Sequence, residues 1–243
     1  MAELRELHPA EMAARVRAIP LARRRQLAEL LEDERLADML EELPEDEQVR
    51  IIESLDLERA AHVLEEMEPD DAADLLGELP ELDRLALLEA MDEDEANPVR
   101  RLLDYDEATA GGLMTPEPVI LPATDTVADA LAVVRQRELP VTLSAQVFVV
   151  RPPTSTPTGR FLGTVGIQRL LRERPGTTLE DCLDEELEAV SPDLSDVDVA
   201  RRLAAYDAIA IAVCDSAGRL VGAVTVDDVL DHVLPVDWRR RVG

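Results

Sequence analysis

The sequence predicts two domains of unlike class. Residues 1–104 read as an all-α superhelical stack of short helices. An α/β pair of duplicated modules follows over 117–178 and 179–243, and residues 105–116 form the linker. Three observations carry this division. A twelve-residue apolar period runs through the first part, a strand-and-helix unit occurs twice in the second, and Gly111-Gly112 breaks the chain between them. A length of 243 residues lets each part bury its own core. Aromatics make up only 2%, so those cores are built from Leu, Val, Ile, Ala and Met.

Charge excludes several classes of function. Against 53 acidic residues stand 25 basic ones, all of them Arg, which gives a formal charge of −28. Such a field repels nucleic acid and anionic lipid and attracts cations. The opening "MAELRELHPAEMAARVRAIP" carries acids and has no long apolar run, so it does not read as a signal peptide. No apolar stretch approaches the ~20 residues of a membrane helix, which predicts a cytoplasmic chain with no membrane span of its own. Cys182 and Cys214 stand apart in apolar contexts and read as buried thiols in a reducing compartment. His8, His62 and His232 are scattered and read as surface or helix-end residues. With no Ser/His/Asp set, His/Cys metal cluster or phosphate-cradling Gly-rich motif, the sequence does not read as an enzyme.

In the first domain Ile19-Pro20, Leu31, Leu43-Pro44, Leu55, Met67, Leu79-Pro80 and Met91 recur at twelve-residue steps. Apolar residues between them, such as Leu36, Met39 and Leu40 or Ala72, Leu75 and Leu76, keep the i, i+3, i+4 spacing of a one-sided helical stripe. Pro44, Pro69 and Pro80 fit first helical turns, where a missing N–H has no consequence. Two steps make a helix pair that buries its stripe by stacking on the next pair. Residues 1–104 hold 31 acids against 12 Arg, most of which solvate outer faces or favour helix N-termini. Asp70 and Asp74 are more pointed. At i and i+4 they share a face and repel, an arrangement that suits a cation or a basic partner.

The second domain is a duplication. "PVILPATDTVADALAVVRQR", "AQVFVVRP" and "GRFLGTVGIQRLLRER" are followed by "EAVSPDLSDVDVARRLAAYD", "AIAIAVCDS" and "GRLVGAVTVDDVLDHV". Each copy reads as strand, capped helix, strand, Gly-Arg turn, strand and closing helix, with Asp125 and Ser195 as N-caps. The Pro- and Thr-rich insertion at 151–160 reads as a flexible, exposed loop. This order, and above all "GAVTVDD", resembles the cystathionine-β-synthase (CBS) domain, whose copies pair into a disc. The resemblance implies a nucleotide-binding cleft at Gly222, Thr225 and Asp228. Chemically, an Asp accepts from ribose hydroxyls and a Thr hydroxyl donates to phosphate at a helix start. In the first copy Gly166 and Arg169 replace the Thr and the Asp, so one cleft reads as disabled.

An acidic helical stack, then "YDEATAGGLMTPE", then a CBS pair ending "GRLVGAVTVDDVLD", resembles the cytosolic region of the MgtE family of magnesium channels and transporters. The resemblance implies a soluble, non-catalytic regulatory sensor, a homodimer through its CBS domains, with Mg²⁺ as a weak regulatory ligand between acidic faces. By position its metal ligands are Asp38, Asp70 and Asp74 in the helical domain and Asp207, Asp227, Asp228 and Asp231 in the CBS pair. A hydrated divalent ion bridges opposed carboxylates through one or two of them each, roughly at millimolar affinity. Gly111 and Gly112 are expected to supply backbone angles closed to other residues and to act as the hinge, with Thr115-Pro116 as an extended exit.

The departures carry expectations too. Ser195, flanked by Asp193 and Asp196, stands where the family has an acidic ligand, and Val236 and Arg239 stand where its connecting helix is acidic. The family places ATP in the first-copy cleft, the one altered here. No pore follows in this sequence, which reads as the sensor without the channel. Two further readings stay open: an adenine-nucleotide energy sensor and an interaction scaffold. The partner is a membrane transporter or another protein, with "DWRRRVG" as either a docking or a solvated tail.

Overall fold

The twelve-residue period becomes one helix and one turn per step. The computed structural model describes residues 8–137, 139–184 and 188–234. Helices α1 (Pro9–Arg17), α2 (Leu21–Ala28), α3 (Asp33–Glu41), α4 (Glu45–Ile52), α5 (Leu57–Glu65), α6 (Pro69–Gly77), α7 (Glu81–Ala90) and α8 (Glu93–Leu102) all start twelve residues apart. The periodic residues end the helices. The N–H groups of Leu43, Leu55 and Leu79 donate to carbonyls three residues back, at 2.8, 3.0 and 3.2 Å, tightening the last turn. Leu31, Leu43, Met67, Leu79 and Met91 are buried beneath these turns. Pro69 takes the first helical position, whereas Pro44 and Pro80 stand one residue earlier, at the N-cap.

Each helix packs on the helix two along, so odd-numbered helices form one row and even-numbered helices another. Polar contacts repeat at the period of the helix pair. Glu41 of α3 accepts from the Glu68 N–H at the start of α6 (2.9 Å), and Glu65 of α5 accepts from the Asp92 N–H at the start of α8 (2.6 Å). Each carboxylate satisfies an orphan donor at a helix N-terminus. Arg59 ties α5 to the α2–α3 turn through the Ala28 and Leu31 carbonyls and the Asp33 carboxylate.

A first compact unit ends at Asp104 and a second spans Tyr105–Val233. In the second, β1 (Ile120–Pro122) lies parallel to β2 (Gln146–Val150), which pairs antiparallel with β3 (Phe161–Gly166). Helices α9 (Val127–Val133) and α10 (Ile167–Arg172) complete the first copy. The second copy repeats this with α11 (Asp196–Ala205), the antiparallel pair β4 (Ala210–Cys214) and β5 (Leu220–Thr225), and α12 (Val226–Val233). Val190 makes a single parallel bridge to Val213, which stands for the first strand of the repeat. Phe148 and Val150 of the first copy pack with Ala210, Ala212, Leu220 and Ala223 of the second, fusing the two.

Several expectations change at the junction. Residues 105–116 group with the second compact unit. Ala110 and Gly111 donate to the Leu194 and Pro192 carbonyls at 2.7 and 2.8 Å, and Thr115 exchanges backbone bonds with Ala223 at 2.9 and 3.0 Å. Gly111 and Gly112 are buried, and neither has φ in the left-handed range. Their missing side chains serve close packing instead. A Cβ on Gly111 would lie 2.5 Å from the Tyr105 ring, and one on Gly112 would lie 2.6 Å from the Asp106 carbonyl.

The helix caps and the insertion also differ in detail. The N-cap of α9 is Thr126, not Asp125. Thr126 and Asp129 form a reciprocal capping box, which satisfies two donors where Asp125 would satisfy one. Ser195 caps α11 as expected. The 151–160 insertion is largely exposed but anchored. Buried Thr158 exchanges bonds with Leu220, and the Thr156 hydroxyl donates to the Pro116 carbonyl.

Close backbone approach predicts the response to added methyls. Gly222 would place a Cβ 2.6 Å from the Thr115 carbonyl and 2.8 Å from Met114 Sδ. Gly222→Ala and Gly111→Ala should each lower stability by about 1–3 kcal/mol in urea unfolding, as overpacked sites do.

Candidate functional site

The second unit gathers its predicted ligands at one end of a helix pair. Helices α11 and α12 pack together, and His232 near the end of α12 lies 3.6 Å from Asp196 at the start of α11. The two helices therefore run in opposite directions. At the other end the Val226 N–H donates to the Ile209 carbonyl at 2.8 Å, which sets the turn bearing Asp207 against the start of α12. Asp207, Asp227 and Asp228 thus share one end, with Asp231 one turn along.

Thr225 organises the start of α12. It is buried, its N–H donates to Asp228 Oδ2 at 3.3 Å, and its hydroxyl contacts Asp228 Oδ2 at 2.6 Å. The same hydroxyl also contacts Asp227 Oδ1. One hydroxyl carries one proton, so it cannot donate to both carboxylates at once. Burial first, and then the Asp227 and Asp231 charges, push Asp228 up to about 6, against the lowering effect of the Thr225 bonds. Two carboxylates competing for one proton form a site short of positive charge.

Asp207 adds a conformational cost. It takes φ +50° at the end of α11, while the Ala208 N–H donates back to the Leu203 carbonyl at 3.0 Å. This is the helix-ending geometry that favours glycine, here with a carboxylate beside the negative end of the helix dipole.

In the first unit Asp70 and Asp74 lie on α6, Asp70 buried and Asp74 exposed. Asp38, on α3, accepts from Arg35 Nη1 at 2.8 Å, so part of its charge is already compensated. It sits one turn before Glu41, the residue that caps α6. Among the described residues no three His, Cys, Asp or Glu side chains converge into a metal cage.

The predicted nucleotide residues also have structural parts. Gly222 lets Met114 and Thr115 approach β5, and Thr225 with Asp228 forms the cap of α12. In the first copy Gly166 caps α10 with no side-chain bond, and Arg169 pairs with Glu173 at 3.0 Å. Sequence reasoning missed Thr225 as a partner of the metal-ligand candidates. The Thr-x-x-Asp spacing of 225–228, a helix-capping pattern, was the signal available. Val236 and Arg239 lie outside the described residues.

Comparison with known proteins gives consistent matches across the chain. A family model for the MgtE intracellular N domain matches residues 7–108, and one for the CBS domain matches 110–176 and 179–235. The magnesium transporter MgtE of Thermus thermophilus is 36% identical over 133 residues, 55% of this chain and 28% of that protein. That of Enterococcus faecalis is 30% identical over 135 residues, 56% of this chain and 29% of that protein. The chain thus aligns with under a third of the length of these curated relatives. A crystal structure of the soluble part of a magnesium transporter superposes with TM-score 0.85 at 30% identity, covering 95% of this chain and 89% of the other. The cytosolic domain of the Mg²⁺ channel MgtE in complex with ATP gives TM-score 0.82 at 32% identity, covering 96% and 93%. No helix among the described residues is long and apolar enough to cross a membrane.

Two measurements check this geometry. Asp207→Gly should stabilise the second unit by about 1 kcal/mol in urea unfolding, by relieving the left-handed backbone and the helix-end charge. In the metal-free protein, the Asp228 carboxyl should titrate by carbon-detected NMR with a midpoint near 6. The folded state then holds this proton more tightly than the unfolded chain. The stability Asp228 contributes is full below about pH 4 and is lost as pH rises through 6.

Proposed function

The chain belongs to the MgtE family in its cytosolic region, an N domain followed by a CBS pair, and from that premise we propose that it is a Mg²⁺-responsive regulatory module. The observation that carries the reading is the shared Thr225 hydroxyl between Asp227 and Asp228, beside a strained Asp207. The crowding of carboxylates at this helix end is unfavourable in the free protein, and a cation offsets it. Asp38, Asp70 and Asp74 supply the acidic face of the N domain, and Asp207, Asp227, Asp228 and Asp231 that of the CBS pair. A hydrated Mg²⁺ draws the two faces together by screening their repulsion. The sites are weak, roughly millimolar, in keeping with few carboxylates per ion.

The motion at the junction is proposed as a swing of the N domain between Leu103 and Tyr105, where the unit boundary falls, rather than within the packed pair Gly111 and Gly112. The protein acts as a homodimer through its CBS domains, in the cytoplasm, and answers to a transporter or another protein partner. It carries no catalytic activity.

Calorimetry with MgCl₂, and separately with ATP and AMP, tests the reading. Millimolar Mg²⁺ binding should weaken about tenfold with Asp227→Asn, the loss of one charge-assisted contact. Nucleotide binding abolished by Asp228→Asn, with no Mg²⁺ response, would replace this reading by an energy sensor. Loss of both leaves a scaffold.

A further inference from the structure

Beside Tyr105 the second unit has an open-sided cavity of about 440 Å³. Tyr105 forms one side, and the rest comes from residues 189–193 and 214–216, where two parallel segments of the second copy end. The cavity belongs to neither the metal-ligand candidates nor the predicted nucleotide cleft. We infer that this cavity binds a compact organic cation, an alkylammonium of the diamine class.

The chemistry of the wall argues for that class. Its charged groups are the carboxylates of Asp193 and Asp215, with hydroxyls from Ser191 and Ser216 beside them. Asp215 is committed: it accepts from the Ala217 and Arg219 N–H groups and binds the Arg219 guanidinium at 2.8 and 2.7 Å. Asp193 is exposed and supplies the charge for a ligand. An anion would meet only these carboxylates in a chain of charge −28. A bare divalent ion would find a single uncommitted carboxylate here, because Asp215 is held by Arg219.

The remaining wall is apolar. Val190, Pro192 and Cys214 line it, and burial pushes the Cys214 thiol up to about 12, so the group stays neutral. Methylene groups find such a surface favourable, and an ammonium finds both a carboxylate and the Tyr105 ring. The Tyr105 ring is itself seated on Gly111, whose N–H is bonded to the Pro192 carbonyl of the same wall.

Putrescine serves as the probe, titrated into the full chain and followed by amide NMR in about 150 mM NaCl, which screens diffuse attraction. Saturable shifts should be confined to Tyr105, residues 189–193 and 214–216. Asp193→Asn should weaken binding about tenfold, the equivalent of one charge-assisted bond. Tyr105→Leu should weaken it severalfold; should that variant not fold, Asp193→Asn, at an exposed position, still decides the matter. Asp228→Asn should leave putrescine binding unchanged, which separates this site from the Mg²⁺ reading. Shifts scattered over the acidic helices, or equal affinity in Asp193→Asn, would overturn the proposal.

Discussion

Repulsion between carboxylates is the constraint to which the rest of this molecule answers. A charge of −28 over 243 residues leaves too few arginines to neutralise every acid. The fold places many acids where the backbone itself supplies positive potential. Glu41 and Glu65 sit on the N-termini of the helices three along, and Asp129 and Asp198 sit on the first turns of their own helices. Such placements are worth a few tenths to about 1 kcal/mol each, and they need no cation. Asp227, Asp228 and Asp207 are the exceptions. They crowd one helix end, one of them in a backbone conformation that glycine adopts more readily.

That exception gives the acidic face its chemistry. A site that must share one hydroxyl proton between two carboxylates gains most from an added positive charge, whether proton or metal. Under the proposed reading proton and cation compete there, and the raised affinity of Asp228 for a proton reflects its burial and the neighbouring acids. At the junction the same economy of space holds. Gly111, Gly112 and Gly222 let Tyr105, the 106–107 backbone and Thr115, in that order, pack against the glycine main chain. A tight strap, rather than a loose tether, follows the end of the first unit.

Much of this was legible in the sequence, and the limits have physical causes. The twelve-residue step was visible because each turn must bury one apolar residue, as Leu43 and Leu79 do. The duplication was visible because both copies need the same alternation of β-branched strands and capped helices. The capping of α9 was misplaced by one residue, since Asp125 and Thr126 are both competent caps and only the partner at Asp129 decides between them. The glycine pair shows a related limit. Gly signals either an unusual backbone angle or close approach, and sequence shows neither the angle nor the neighbour. Likewise the 151–160 insertion shows its prolines in sequence, but not the Thr158 bonds to Leu220 that hold it.

The central claim, that a hydrated divalent ion lets two acidic units come together, is tested most directly by small-angle scattering. The radius of gyration is measured in excess chelator and again in saturating MgCl₂, at equal ionic strength. The account predicts a smaller radius with magnesium, and a change diminished by Asp207→Asn together with Asp227→Asn. Identical radii in the two conditions would contradict it.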